Sequence, residues 1–391
     1  MKKILSPPNT IAFGLLLVTL AVNVSMPLFQ VYAENAGLSK GQTALVLAAY
    51  ITGMLPSYIF LGGISDRLGR KPVLITSVFF AFLSTALITW KPDVEALVFA
   101  RLCQGIALAL SMGTGTAYMA ELMTDKGILA PSRAANKASL STAFGFSGGA
   151  LATTLVLFIA FSLTPLSYYI LLFLTLIGLV LLAFLPAIPP IGGPMVRLPY
   201  FPKGSFAINT SIGICWAATG TIIAIVPAEF SKLGLTAYAG FCIVLINWTG
   251  AFIQKWVRTF SSAHAMQIGF LLVPIGFAIV VTGLFIHQIT VILFGTTLIG
   301  FAAYGFSYVG GLSMIAELGG AQRARAVSGY MFVGYIGFGI PAVFLGYLSD
   351  SLGIPWALGI FEILLILLTF YTWWRFKTEN LPLLIEKVDS E

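Results

Sequence analysis

Apolar stretches of about 20 residues recur along the whole chain, and they constrain its fold more than any other feature. A helix of that length crosses about 30 Å of hydrocarbon, because each residue rises about 1.5 Å. Hydrophobic residues make up 58% of the 391 residues and charged ones 9%, whereas a soluble domain is roughly 45–50% apolar. We therefore predict an all-α membrane protein with twelve transmembrane helices.

The twelve predicted spans divide into two halves of six. Thr52-Gly53 matches Thr249-Gly250, and Ala120-Glu121-Leu122 matches Ala316-Glu317-Leu318, at nearly the same offset. Because six is an even number, both halves enter the membrane from the same side. We predict two six-helix bundles related by a pseudo-two-fold axis along the membrane normal. The predicted domains are an N-terminal bundle (1–186), a Pro/Gly-rich cytoplasmic linker (187–204) and a C-terminal bundle with a short cytoplasmic tail (205–391).

Positive charge is concentrated on one side of this predicted topology. With the N-terminus in the cytoplasm, all but four of the 21 Lys and Arg residues are cytoplasmic; the exceptions are Lys40, Lys91, Arg101 and Lys232. Basic loops that face the anionic cytoplasmic leaflet explain the net charge of +7 without a nucleic acid partner. We predict a monomeric, multi-pass protein of the cell inner membrane with both termini cytoplasmic.

The sequence lacks the groups that enzymes and primary pumps need. It has no Gly-Lys-Ser/Thr phosphate loop, only two histidines, and three cysteines without CxxC spacing. We predict no enzymatic activity, no metal and no cofactor. A polytopic membrane enzyme or sensor is a remote alternative, since it would need His, Asp or Cys clustered at one interface.

Four charged residues crowd into GGISDRLGRKP, residues 62 to 72, between the second and third spans. The glycines allow a tight turn, and the Asp66 carboxylate can face the positive N-terminus of a neighbouring helix. This run resembles the signature loop of the major facilitator superfamily, and RLCQG, residues 101 to 105, is similar to a second motif of that family, R-x-x-Q-G. The resemblance implies a cytoplasmic latch between the halves, whereas an ordinary positive-inside loop would explain only the basic residues. The predicted latch residues are Gly62, Asp66, Arg67, Gly69, Arg70, Lys71 and Glu121.

The resemblance implies a secondary transporter of the drug/metabolite:proton antiporter branch. We predict movement of a small organic molecule by alternating access, as proton-coupled efflux of a drug-like compound or metabolite. Family antiporters carry a Gly-Pro dipeptide in the fifth span, which SGGALATT, residues 147 to 154, lacks. The alternative is a proton-coupled or facilitated importer of a small organic anion, anchored by Arg101.

Two ionisable residues lie inside predicted spans, where a charge is costly. Arg101 has two interpretations. It either binds an anionic group, or it stabilises the bundle by bonding to the backbone of a broken helix or to a nearby acid such as Glu34. For Glu362, in the last span, structural pairing or snorkelling is favoured over proton transfer. The predicted proton-coupling candidates are Glu34, Asp66 and Glu362.

The first span carries a polar stripe that includes Thr19 and Asn23, which indicates either a cavity wall or interhelical hydrogen bonds. Aromatic and amide side chains in later spans suit an amphipathic substrate. The predicted substrate-binding residues are Asn23, Gln30, Arg101, Gln104, Trp216, Asn247, Tyr304, Tyr308 and Tyr335. A late echo of the latch sequence, GYLSDSLG at residues 346 to 353, falls outside the cell in this topology, and we interpret it as a capped turn.

Overall fold

Helices form the regular secondary structure of the chain, and no strand occurs in residues 6–123 and 130–378, which the computed structural model describes. The helices are α1 (Pro7–Asn23), α2 (Phe29–Asn35), α3 (Lys40–Phe60), α4 (Ile64–Leu68), α5 (Arg70–Trp90), α6 (Val94–Leu122), α7 (Ala130–Ile159), α8 (Leu166–Ala183), α9 (Phe206–Lys232), α10 (Ala239–Val257), α11 (Ser262–Phe285), α12 (Ile289–Gly300), α13 (Tyr308–Leu318), α14 (Arg323–Leu352) and α15 (Ile354–Thr378). Within these described residues, twelve helical segments are long and apolar enough to cross a membrane. The predicted all-α architecture with twelve spans is confirmed, while the predicted cytoplasmic tail lies outside the described residues.

Two of the spans are interrupted helices. A 3₁₀ turn, Met26–Leu28, joins α1 to α2 within the span Pro7–Asn35. Pro27 lies in this turn and has no N–H to donate to the preceding helix. A π-helical turn, Phe301–Ser307, joins α12 to α13, and such turns often mark functional positions.

The chain forms two compact units. The first contains residues up to 36 and residues 46–197, and the second contains residues 37–45 and residues from 198 onwards. The division between them falls inside the predicted linker. Helix α3 begins in the second unit and continues in the first.

Glycines bring helices together within each unit. In the first unit, Gly105 of α6 lies against the backbone of α3 at Tyr50, where a side chain would collide with the Tyr50 carbonyl. In the second unit, Gly220 of α9 lies against the Phe338 carbonyl of α14 in the same way. Close approach at small residues is typical of membrane helices, because lipid supplies no hydrophobic drive for association and packing must replace it.

The turn between α5 and α6 is held by Asp93. Its side chain caps α6 by accepting a hydrogen bond from the Ala96 backbone N–H at 2.9 Å. The ammonium group of Lys91 lies 2.6 Å from the same carboxylate. The hydrogen bond from Lys91, followed by that from Ala96, lowers the pKa of Asp93 below its ordinary value.

Candidate functional site

Four aromatic side chains meet inside the second unit, and we call them the aromatic cluster: Trp216, Tyr304, Tyr308 and Tyr335. The Trp216 ring stacks on Tyr304 at a centroid distance of 5.7 Å and on Tyr308 at 6.5 Å. Tyr335 meets Trp216 edge-on at 4.8 Å. All four were predicted as substrate-binding residues, and they come from α9, the π-helical turn, α13 and α14.

The π-helical turn positions the tyrosines of the cluster. Two of its carbonyl groups accept hydrogen bonds from side chains of other helices: Tyr304 O from Gln254 Nε2 at 3.2 Å, and Ser307 O from the Tyr330 hydroxyl at 3.3 Å. Gly334 lets the indole of Trp216 lie directly on α14. Gln254 and Tyr330 were not predicted as functional residues, because hydrogen bonds to a helix irregularity leave no periodic signal in a sequence.

Trp216 carries a buried donor without an acceptor. Its side chain is 5% exposed, and its Nε1 has no hydrogen-bond partner within the described parts of the chain. Buried Trp N–H groups usually find a partner, so this donor lacks the acceptor that such groups normally have. Asn247 of α10 does not share this property, since its Nδ2 donates to the Ile243 carbonyl of its own helix at 2.9 Å.

Arg101 is buried in the first unit, where its guanidinium contacts main-chain carbonyls. Nη1 donates to Val22 O at 3.0 Å and to Gln104 Oε1 at 2.7 Å, and Nε donates to Leu47 O at 3.4 Å. The guanidinium also lies over the Tyr50 ring, 5.0 Å from its centroid. Its charge is therefore compensated by protein groups.

The break after α1 explains why these carbonyls need a partner. The interrupted helix leaves Ala21 and Val22 carbonyls facing α6, where Gln104 Nε2 donates to Ala21 O at 2.9 Å. Arg101 and Gln104 thus satisfy adjacent backbone acceptors. Of the two interpretations of Arg101, these contacts favour the stabilisation of broken backbone.

The polar stripe of the first span divides at the same break. Asn23 donates from Nδ2 to Phe146 O of α7 at 2.8 Å, which is an interhelical hydrogen bond. Gln30 is buried in α2 and donates from Nε2 to Glu34 Oε1 at 3.0 Å, whereas Glu34 is exposed. Asn23 and Gln30 thus lie on separate helices, α1 and α2, on either side of the 3₁₀ turn.

The predicted latch residues form a charge network around Arg70. Its Nη1 donates to Ser65 Oγ at 2.7 Å, and its Nη2 lies 2.9 Å from Glu121 Oε1. The Asp66 carboxylate forms ion pairs with both Arg70 and Arg197. Two guanidinium groups therefore face Asp66, and one of them belongs to Arg70, the first residue of α5.

The linker also lies on the latch loop through its backbone. Ile191 and Gly192 donate N–H groups to the Asp66 carbonyl at 2.9 Å, and Gly63 donates to Met195 O at 2.9 Å. A side chain at Gly63 would collide with the Pro194 carbonyl. Gly69 has a φ of +92°, a backbone conformation that favours glycine. Among the other predicted latch residues, Arg67 is exposed and Lys71 half-buried.

Asp350 contacts the start of α3 in the second unit. Its Oδ1 accepts from Lys40 N at 2.8 Å and its Oδ2 from Gly41 N at 3.0 Å. Ser39 and Gln42 complete a reciprocal capping box at the same helix end. The residues 346 to 353 therefore provide a cap for a distant helix, beyond the local capped turn that we expected.

The sequence comparisons agree with these motifs. The sequence profile of the Major Facilitator Superfamily matches residues 11–273, which is more than half of the chain. The chain belongs to the Major Facilitator Superfamily. The predicted family membership is confirmed, and the latch loop and the Arg101 motif lie inside the matched range.

Solved structures and curated relatives of the superfamily resemble this chain. The crystal structure of the nucleoside transporter NupG has a TM-score of 0.76 at 14% identity, covering 95% of this chain and 100% of that one. The multidrug resistance protein MdtL of Shewanella oneidensis is 26% identical over 94 residues, 24% of each chain. The 3-(3-hydroxy-phenyl)propionate transporter of Escherichia coli is 39% identical over 82 residues, 20% of each.

The matched segments span only 11–24% of the lengths of the curated relatives. The family and the fold together indicate a multi-pass membrane transporter rather than an enzyme, as predicted. Within residues 6–123 and 130–378, no three His, Cys, Asp or Glu side chains are arranged to hold a metal ion.

Glu229 is a buried acid that the sequence analysis overlooked. It lies in the last two turns of α9 with a side chain 7% exposed, 3.1 Å from Lys232 Nζ and 3.6 Å from His287 Nδ1. The signal was present, because an acid follows Pro227 inside an apolar run.

Glu362 lies on the packed face of α15. Its residue is 8% exposed, and its Oε2 has no hydrogen-bond partner in the part of the chain that the structure describes. Snorkelling to the membrane surface is inconsistent with this burial, since the carboxyl group would then be solvated. The expected structural ion pair is likewise not among the salt bridges of the described residues.

Proposed function

We propose that this chain is a secondary active transporter that exports a small organic molecule with a flat apolar part in exchange for protons. The observation that carries the proposal is the aromatic cluster in the second unit, with the free indole N–H of Trp216 at its centre. Similarity to MdtL supports efflux. We also propose that the transporter acts as a monomer in the inner membrane with both termini cytoplasmic.

The chemistry of the aromatic cluster suits a flat compound with one hydrogen-bond acceptor. Aromatic faces bind planar apolar groups by stacking, and each such contact contributes about 0.5–1.5 kcal/mol beyond the area buried. The Trp216 N–H can donate to a carbonyl, ether or ring nitrogen of the substrate. The side chains of the cluster carry no charge at neutral pH, so a strongly charged compound would find no counter-ion there.

A second candidate function is import of a small organic anion, which the similarity to the 3-(3-hydroxy-phenyl)propionate transporter favours. Its predicted anchor was Arg101. The guanidinium of Arg101 instead contacts Val22 O, Gln104 Oε1 and the Tyr50 ring. Binding of a carboxylate would require these contacts to break, so we rank import second.

Helix α3 links the proposed function to a conformational change. Asp350 holds the start of α3, and the latch loop with Asp66 follows its end, about 30 Å away at the helical rise. In the proposed orientation, Asp350 lies outside and Asp66 in the cytoplasm. One set of contacts joins Asp350 to the start of α3, and the other joins Asp66 to Arg70 and Arg197. We propose that each step of alternating access breaks one of these two sets of contacts and keeps the other.

A proteoliposome assay tests this function. Purified protein is reconstituted with an internal pH dye, an imposed pH gradient is established, and flat aromatic compounds, sugars and organic acids are added in turn. We expect flat aromatic compounds to dissipate the gradient while compound and proton move in opposite directions. Movement of both in the same direction would contradict export and support the importer.

A further inference from the structure

Three buried oxygens on one face of α15 have no hydrogen-bond partner in the described structure. They belong to Glu362, Thr369 and Thr372, which are 8%, 5% and 0% exposed. All three lie on the stripe of α15 that packs into the second unit. At the helical rise, Glu362 lies about 10 Å from Thr369, and Thr372 about 5 Å further along.

Some buried threonines of the chain satisfy their hydroxyl within their own helix, whereas Thr154, Thr221, Thr369 and Thr372 have no hydrogen-bond partner in the described structure. Thr175 and Thr296 donate to the carbonyl four residues earlier, at 2.9 and 2.7 Å. Thr369 and Thr372 make no such bond. Buried polar groups without protein partners are normally satisfied by ordered water, and a site needs two to four polar partners to hold one. A row of such oxygens along one helix face suits a file of water molecules.

No charged side chain neutralises Glu362 from the middle of the surrounding helices. Helix α15 packs against α9, α11 and α14. Phe277 of α11 contacts Phe361, which fixes the depth of the neighbouring Glu362 near the middle of α11. The titratable and charged residues of the four helices are Cys215, Glu229 and Lys232 in α9, His264 in α11, Arg323, Arg325, Tyr330, Tyr335, Tyr347 and Asp350 in α14, and Tyr371, Arg375 and Lys377 in α15.

The charged members of this set lie near helix ends, and the others are neutral at pH 7. An ionised carboxylate at the depth of Glu362 would therefore lack a counter-charge in an apolar environment. The neutral acid is the stable form there, and it must gain its proton from water.

We propose that Glu362 is a proton-binding site, reached by water along Thr369 and Thr372 from the end of α15 that carries Arg375 and Lys377. A hydronium ion delivers the proton to the carboxylate, which becomes a neutral acid, and release returns the proton to water. The role of this site in driving export rests on the proposed function. The proton-binding site itself does not.

Infrared spectroscopy of the purified protein in lipid tests the site without a substrate. We expect a carbonyl band of a protonated carboxylic acid at neutral pH, present in wild type and in the exposed control E95Q, and absent in E362Q. A band that persists in E362Q, or no such band in wild type, would overturn the proposal. If the band behaves as expected but no compound discharges a pH gradient, the proton site stands and the proposed function fails.

The water path has its own test. On transfer to heavy water, the carboxylic acid band shifts as the proton exchanges with solvent. We expect T369V and T372V to slow this exchange at least several-fold, and T369S and T372S, which keep the hydroxyl, to exchange like wild type. Exchange at the wild-type rate in the double valine variant would overturn the path.

Discussion

The carboxylate of Asp350 caps the helix that begins at Lys40, although 310 residues separate the two in sequence. Its two oxygens accept from the first two N–H groups of α3, and the Ser39 hydroxyl accepts from the third. The N–H of Ser39 itself donates to Gln42 Oε1 at 2.9 Å. All four N–H groups that a helix start leaves open are thus satisfied.

Removal of the Asp350 cap should destabilise the second unit. We expect D350A to lower the free energy of unfolding by about 1 kcal/mol, the typical effect of losing a helix cap. D350N, which keeps one acceptor oxygen, should lose about half of that. Denaturant unfolding in detergent measures both, and an unchanged midpoint in D350A would show that the capping contact contributes nothing.

The ion pair between Asp66 and Arg197 should be coupled to transport. We expect D66N to reduce turnover more than substrate binding, because the latch acts in the conformational change. R197A should have a smaller effect, since Arg197 is 46% exposed and such pairs contribute about 0.2–1 kcal/mol. The double variant D66A/R197A should match D66A alone, whereas additive losses would indicate that the two residues act independently. R258A, an exposed arginine outside the network, is the control.

Arg101 should contribute to stability rather than to substrate affinity. R101A leaves the Val22 and Leu47 carbonyls buried without a donor, at an expected loss of about 2–4 kcal/mol in the free energy of unfolding. Q104A should cost less, because Gln104 is neutral. Titration of the folded R101A fraction with a transported compound should give the wild-type Kd. A weaker Kd at unchanged stability would instead favour the anion anchor.

Two glycines of α6 provide a matched test of helix packing. A methyl group at Gly105 would collide with the Tyr50 carbonyl, whereas nothing lies within 4 Å of one at Gly113. We expect G105A to destabilise the protein by about 1–3 kcal/mol, and G113A to stabilise it by up to about 1 kcal/mol through helix propensity. Equal unfolding midpoints would rule out close packing of α3 on α6.

The sequence indicates the parts of this molecule that depend on local pattern. Apolar runs predict the twelve spans, because each must cross the membrane with its own backbone satisfied. The four aromatic residues of the cluster are also accessible to sequence analysis, since their side chains suit a substrate cavity. Sequence analysis could not predict that these side chains meet around Trp216, because their arrangement depends on a π-helical turn that no motif marks.

The remaining features arise from pairings between distant segments. The echo of the latch sequence around Asp350 can be recognised in the sequence. The pairing of Asp350 with Lys40 cannot, because nothing in the sequence links these two positions. Arg197 gives no signal in a linker that lacks periodicity, although it pairs with Asp66. The role of Arg101 depends on carbonyls that become available only where α1 breaks.

The most direct test of the account is the affinity of wild type and two tryptophan variants for a transported flat compound. Trp216 lies in the aromatic cluster, and Trp256 is 63% exposed on α10. The W216A variant loses one stacking contact and one hydrogen bond to the compound, so we expect its binding to weaken roughly 10- to 100-fold, while W256A should bind like wild type. Wild-type affinity in a folded W216A protein would contradict the assignment of the aromatic cluster as the substrate site.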